Sequence, residues 1–143
     1  MPSRLTLIAT GIALSLGAGS VFAQLQTETV EYQVDGESYT GYLAWNDSYE
    51  GPRPGVLVVH EWWGHNEFAR DQAEKLAAAG YTAFALDMYG SGKLADHPRD
   101  AMAFMEAATA DLDSVVNRFT AAMNILKQHE TVDSNRIAAQ GYC

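Results

Sequence analysis

The chain has 143 residues, 48% of them hydrophobic and 19% charged, enough apolar content for one small core and too little charge for a disordered polyelectrolyte. A formal net charge of −9 excludes a phosphate-neutralising basic surface, and with it nucleic-acid binding. One domain is the ceiling at this length.

The first 23 residues stand apart. Ser3-Arg4 gives a short cationic start, Leu5 to Leu16 is almost wholly apolar, and Val21-Phe22-Ala23 places small residues before a cleavage point. This is the pattern of a secretory signal peptide over residues 1–23, with the mature domain running from Gln24 to Cys143. The apolar run falls short of the roughly 18 residues a spanning helix needs, and Gly11, Gly17 and Gly19 weaken a helix there, so no stable membrane span is expected after cleavage. Arg4 is the sole charged side chain before Gln24, so cleavage takes the net charge from −9 to −10. The expected location is periplasmic or extracellular. Such compartments favour disulfides, yet Cys143 is the single cysteine and has no partner within the chain. It is inert and buried, paired elsewhere, or reactive.

From Gln24 onward the elements alternate. Val30, Tyr32 and Val34 interleave with Glu31, Gln33 and Asp35 at the period of a half-buried strand; Asp35-Gly36 marks a turn, and Tyr39 to Trp45 returns as the second arm of a hairpin. Asn46 to Pro54 reads as a loop leading into Gly55 to Val59, an apolar run without a polar face. A strand apolar on both sides belongs inside a parallel sheet covered by helices. Asn66 is placed to cap a helix from Glu67 to Ala79, with Phe68, Ala73, Leu76 and Ala77 as its apolar face and Gly80 as its stop. Tyr81 to Leu86 is the next buried strand, and Asp87 to Pro98 a glycine-rich loop whose proline opens a helical region. From Asp111, the stripe Leu112, Val115, Val116, Phe119, Met123 and Leu126 predicts a strong helix. Thr131 to Asn135 reads as a polar connection, and Arg136 to Gln140 as a short strand ending in the turn Gly141-Tyr142-Cys143. The order predicts an α/β fold, a mostly parallel sheet with an amino-terminal β-hairpin. Its last strand is expected to lie at an open edge.

Two segments carry chemistry. Gly141-Tyr142-Cys143, after the strand Ile137-Ala138-Ala139, is the first half of a nucleophile elbow, the strand-to-helix turn that holds a reactive side chain above the sheet. His60-Glu61-Trp62-Trp63-Gly64 follows the first central strand, at the carboxyl end where open α/β sheets bind ligands and where hydrolases of this kind supply one oxyanion-hole N–H.

The ordered set His60-Glu61-Trp62-Trp63-Gly64, Leu76-Ala77-Ala78-Ala79-Gly80-Tyr81, Asp87-Met88-Tyr89-Gly90 and Gly141-Tyr142-Cys143 resembles the dienelactone hydrolase family, over about Val30 to Cys143. The resemblance implies an α/β-hydrolase fold, truncated after the nucleophile strand, and a Cys-His-Asp triad that cleaves a small-molecule ester or lactone through an acyl-enzyme without a cofactor. It places Cys143 as nucleophile, Glu61 as the carboxylate that assists thiolate formation, and the Trp62 N–H in the oxyanion hole; Trp63 and Lys93 are candidate substrate contacts. The triad aspartate and histidine are expected after Cys143. Family members acting on dienelactones carry an arginine soon after the segment matching Asp87-Met88-Tyr89, where this chain has Gly90-Ser91-Gly92-Lys93. Lys93 is the candidate to stand in for it, as a point charge on a flexible stem rather than a bidentate fork, which argues against dienelactone itself as the substrate.

None of His60, His65, His97 or His129 fits the triad base, because all precede Cys143 and the family order is nucleophile, acid, histidine. His60 reads as a packed histidine bonded to a neighbouring loop. His60, Glu61 and His65 do not match the zinc-helix spacing, so no metal site is expected. The competing class is a non-catalytic small-molecule binding protein on the same fold.

Overall fold

The computed structural model describes residues 24–143; the expected signal peptide, residues 1–23, lies outside the described residues. Strands β1 (Leu25–Val34) and β2 (Glu37–Asn46) form the hairpin. Its two-residue turn has φ of 54° at Asp35 and 85° at Gly36, the mirror-image turn whose twist matches that of the flanking strands. Then follow β3 (Arg53–Val59), α1 (Glu67–Ala78), β4 (Thr82–Leu86), α2 (Pro98–Thr109), α3 (Leu112–Gln128) and β5 (Val132–Gly141).

The sheet order is β1-β2-β4-β3-β5. β3 runs parallel to both β4 and β5, whereas β2 joins β4 antiparallel. The sheet is therefore mixed, three parallel strands with the hairpin on one flank, and the α/β class follows from helices on both faces. On one face Leu43, Leu57, Phe84 and Leu86 pack with Ala122 and Leu126 of α3. On the other, Ala44, Val58, Ala83 and Ala85 meet Ala69, Ala73 and Ala77 of α1. Adjacent residues Leu57 and Val58 serve opposite faces, as the pleat dictates, and all of β4 is buried. Gly41 makes room for the core: a Cβ there would fall 2.2 Å from the Phe84 ring.

Local signals set the helix ends. Asn66 caps α1 by accepting from the Ala69 N–H, and Gly80 (φ 96°) closes it while the Tyr81 N–H reaches the Leu76 carbonyl. Pro98 opens α2, and the Asp111 carboxylate caps α3 through the Asp113 and Ser114 N–H groups. Among the described residues no helix is long and apolar enough to cross a membrane.

Three expectations need correcting. The buried seam of α1 is Ala69, Ala73 and Ala77, while Phe68 is 42% exposed; small residues let the helix approach the alanines of β4. On α3, Leu112 and Val116 are exposed and Arg118 is buried, so the covered face is rotated from the apolar stripe. β5 begins at Val132, and a register shift carries the pairing from Pro54↔Asp133 to Gly55↔Ile137. The polar segment is thus an irregularity inside the strand, pinned by the Arg136–Asp133 ion pair at 2.7 Å.

Candidate active site

Where β3 ends, the chain turns sharply and its polar groups are tied down. His60 is buried, its Nε2 accepting from the Met88 N–H at 3.1 Å and its Nδ1 lying 2.6 Å from the Glu61 carbonyl oxygen. The first bond leaves the proton on Nδ1, so a neutral ring links the end of β3 to that of β4. Burial lowers the pKa of His60, against the opposing pull of the Glu61 carbonyl bond and the charge of Asp87. With both nitrogens engaged, His60 is the packed, loop-bonding histidine expected of it.

Glu61 is held equally firmly. One carboxylate oxygen accepts from the Trp63 N–H and the other from the Asn66 side-chain amide, both at 2.7 Å. Asn66 therefore does two jobs, since its own oxygen accepts from the Ala69 N–H at 3.3 Å to cap α1. Gly64 has φ 103°, and a Cβ there would sit 2.7 Å from the Lys93 carbonyl oxygen, so the turn requires glycine. Trp62 lies between these anchors: its carbonyl accepts from the Tyr89 hydroxyl at 3.1 Å, its indole packs on Trp63 at 5.1 Å, and its N–H has no hydrogen-bond partner among the described residues.

The loop after β4 forms a second wall. The buried Asp87 carboxylate accepts from the N–H groups of Tyr89 (2.9 Å), Gly90 (3.0 Å) and Thr40 (3.3 Å). Tyr89 then lies with its ring edge-on to His60, centroids 4.8 Å apart. Behind the wall the guanidinium of Arg118, also buried, donates to the carbonyls of Ser114 (2.9 Å), Met88 (2.7 Å) and Ala108. It binds α3, α2 and this loop together without a carboxylate partner.

At the end of β5 the Tyr142 N–H reaches the Val59 carbonyl at 3.2 Å. The Tyr142 hydroxyl accepts from Gln140 (2.9 Å) and donates to Gln72 of α1 (3.1 Å), and its ring meets Phe68 at 4.9 Å. Cys143 follows, exposed.

Cys143, Glu61 and Trp62 line one cavity of about 560 Å³, together with Tyr89 and the α2 residues Met105 and Thr109. It opens at the carboxyl ends of the parallel strands, where such sheets bind ligands. Trp63 is absent from that lining, and its ring packs against Trp62. Lys93 is also absent: it borders smaller cavities, one shared with Phe104 and Arg118, another with His65, Arg70 and Asp87. Among the described residues no group of three or more His, Cys, Asp or Glu side chains is placed to hold a metal ion.

Sequence reasoning did not single out Asn66 as a partner of Glu61, nor Tyr89, Tyr142 or Arg118 as parts of the walls. Asn66 had a legible signal, five positions after Glu61 at a helix start. A buried arginine satisfied by carbonyls has none, since no acidic partner marks it.

Residues 39–143 match the family model described as the dienelactone hydrolase family. "Protein usf" of Aquifex pyrophilus is 32% identical over 120 residues, 81% of this chain and 50% of that protein. A protein of Aquifex aeolicus named "Putative carboxymethylenebutenolidase" is 33% identical over 120 residues, with the same coverage of 81% and 50%. Among solved structures, a dienelactone hydrolase-like promiscuous phosphotriesterase, P91, from metagenomic libraries superposes with a TM-score of 0.78 at 30% identity, covering 84% of this chain and 50% of that one. The chain spans about half the length of the curated relatives it matches.

Proposed function

The chain belongs to the dienelactone hydrolase family, and from that premise we propose that the protein hydrolyses small-molecule esters or lactones with Cys143 as its nucleophile. The observation that carries the reading is the shared cavity, in which a cysteine, a fixed carboxylate and a backbone turn with an unpartnered N–H border the same space.

A neutral thiol is a weak nucleophile, so the reaction begins with its ionisation. A carboxylate alone opposes a second negative charge nearby. Glu61 therefore acts with a base, the triad histidine, which the family order places after Cys143 together with the aspartate that orients it. The thiolate attacks the carbonyl carbon, a C–S bond forms, and charge collects on the carbonyl oxygen. The Trp62 N–H is the donor offered to that oxygen, the second coming from the residue after the nucleophile. Collapse breaks the C–O bond and the alcohol leaves with a proton from the histidine. Water then attacks the thioester and releases the acid and the thiol. In a lactone the two products remain one molecule, a hydroxy acid.

No metal or organic cofactor enters this scheme. The protein is proposed to act in the periplasm or outside the cell after removal of residues 1–23.

Assay of the full-length protein against aryl esters and lactones tests the proposal. Turnover that vanishes in Cys143→Ala supports it, and saturable binding of those compounds without turnover would replace it with a carrier function. A comparison of the secreted and retained protein by amino-terminal sequencing tests the export step; a mature start at Gln24 is expected.

A further inference from the structure

We infer that His60 is a positioning residue of the proposed oxyanion hole: its Nδ1–H holds and polarises the Glu61–Trp62 peptide, whose N–H is the donor to the reacting oxygen. The inference rests on the reading of the Trp62 N–H as that donor.

Two successive peptides meet at Trp62, and each is anchored. The carbonyl of the first, Glu61–Trp62, accepts from His60 Nδ1 at 2.6 Å and from the Gly64 N–H at 3.3 Å. The second, Trp62–Trp63, gives its N–H to the Glu61 carboxylate at 2.7 Å and takes the Tyr89 hydroxyl on its carbonyl at 3.1 Å. The direction of the Trp62 N–H is therefore set by bonds on both sides of the residue. The His60 ring is itself fixed: it is 5% exposed, Tyr89 lies edge-on at 4.8 Å, and Nε2 accepts from the Met88 N–H at 3.1 Å, which leaves the proton on Nδ1. The Asp87–Met88 peptide in turn takes the Tyr32 hydroxyl on its Asp87 carbonyl at 3.3 Å. Donor and acceptor thus alternate without reversal, from the Tyr32 O–H through the Asp87–Met88 peptide and the His60 ring to the Glu61–Trp62 peptide. Each dipole in that line points its hydrogen at the next acceptor, and the last hydrogen is that of Trp62. Bonds in series of this kind strengthen one another, and donors aligned beforehand on a developing negative charge are those that lower a barrier. A protonated ring could not accept from Met88 and would break the line; burial lowers the pKa of His60 and favours the neutral ring.

The test compares two isosteres in the full-length protein by steady-state hydrolysis of 4-nitrophenyl acetate and by urea unfolding. In His60→Asn the amide N–H stands where the Nδ1–H stood, so the donor to the Glu61 carbonyl is kept and the Met88 bond is lost. In His60→Gln the amide oxygen reaches the Met88 N–H, and the Glu61 carbonyl loses its side-chain donor. Each variant gives up one of the ring's two bonds, so a merely structural role makes kcat follow the urea midpoint. The inference instead expects His60→Asn to keep kcat within about 3-fold and His60→Gln to lose on the order of 10-fold, with KM moving less than about 2-fold in both; deleting an oxyanion donor outright costs roughly 10²–10³. Equal kcat in the two variants, or a slower His60→Asn, would overturn the inference while leaving the hydrolase reading intact. A second readout needs neither variant to fold: long-range ¹H–¹⁵N spectra of the unaltered protein should show the His60 proton on Nδ1, and a proton on Nε2 would overturn the inference as well. Absence of ester and lactone turnover in the unaltered protein would remove the hydrolase reading itself, and this inference with it.

Discussion

The two ends of the site are held very differently. At the end of β3, both nitrogens of His60 and both oxygens of Glu61 are bonded, and Asn66 is shared between Glu61 and a helix cap. At the end of β5, Tyr142 is tethered, among the described residues, by one backbone bond and a hydroxyl bridge, and Cys143 follows it. The Glu61 carboxylate and the turn carrying the Trp62 N–H are thus fixed by the central strands, as the proposed role in binding a developing oxyanion requires, since preorganised dipoles lose effect when they move.

If that contrast is right, mutations at the two ends separate activity from stability. The largest effect is expected for Cys143→Ala in the full-length protein, roughly a 10⁴-fold loss of kcat/KM in steady-state ester hydrolysis. Glu61→Gln should cost stability as well as activity: its amide must turn an N–H toward either the Trp63 N–H or the Asn66 amide, costing about 2 kcal/mol in urea unfolding. An unaltered midpoint would show that the turn is not held as described. Tyr142→Phe removes only the bridge to Gln140 and Gln72 and should cost about 1 kcal/mol or less; a larger loss would make the β5 end as rigid as the β3 end.

A separate effect, comparable with that of Glu61→Gln, is one of pH. Burial, and secondarily the positive charge of Arg70, brings His65 from its ordinary 6.5 to about 4, and His60 is lowered as well. The unfolded chain therefore takes up protons that the folded one refuses. Stability is fully present above pH 6.5 and falls as the pH drops from 6.5 toward 4, with a slope from His65 approaching 1.4 kcal/mol per pH unit. Urea midpoints at pH 5 and 7 measure it, and His65→Gln should flatten the difference. A stability independent of pH across that window would contradict the burial of both rings.

Element order was legible because alternation in β1, the apolar run of β3, the cap at Asn66 and the opening proline at Pro98 are local signals. Which face a helix buries was not. Phe68 outranks Ala69 on any hydrophobicity scale, yet contact with Ala83 and Ala85 demands a small residue, and that demand exists only once the sheet is assembled. Arg118 shows the same limit, being buried through carbonyls that belong to three separate elements. At the site, Cys143, Glu61 and Trp62, proposed from their strand-end motifs, line one cavity. Lys93 was a candidate because family members acting on dienelactones carry an arginine soon after the segment matching Asp87-Met88-Tyr89; it borders smaller cavities and not the one lined by Cys143.

The sheet also carries an instruction about time. β2 and β3 follow one another in the chain and yet are separated in the sheet by β4, which takes its place between them. The hairpin is a local product, formed on the microsecond scale of its own turn, but it has no seat until residues 82–86 have crossed over α1 and paired with β3. On a growing chain, the first arms to emerge must wait for the fourth strand, and closing that gap is the step on which the joining of hairpin and parallel core depends.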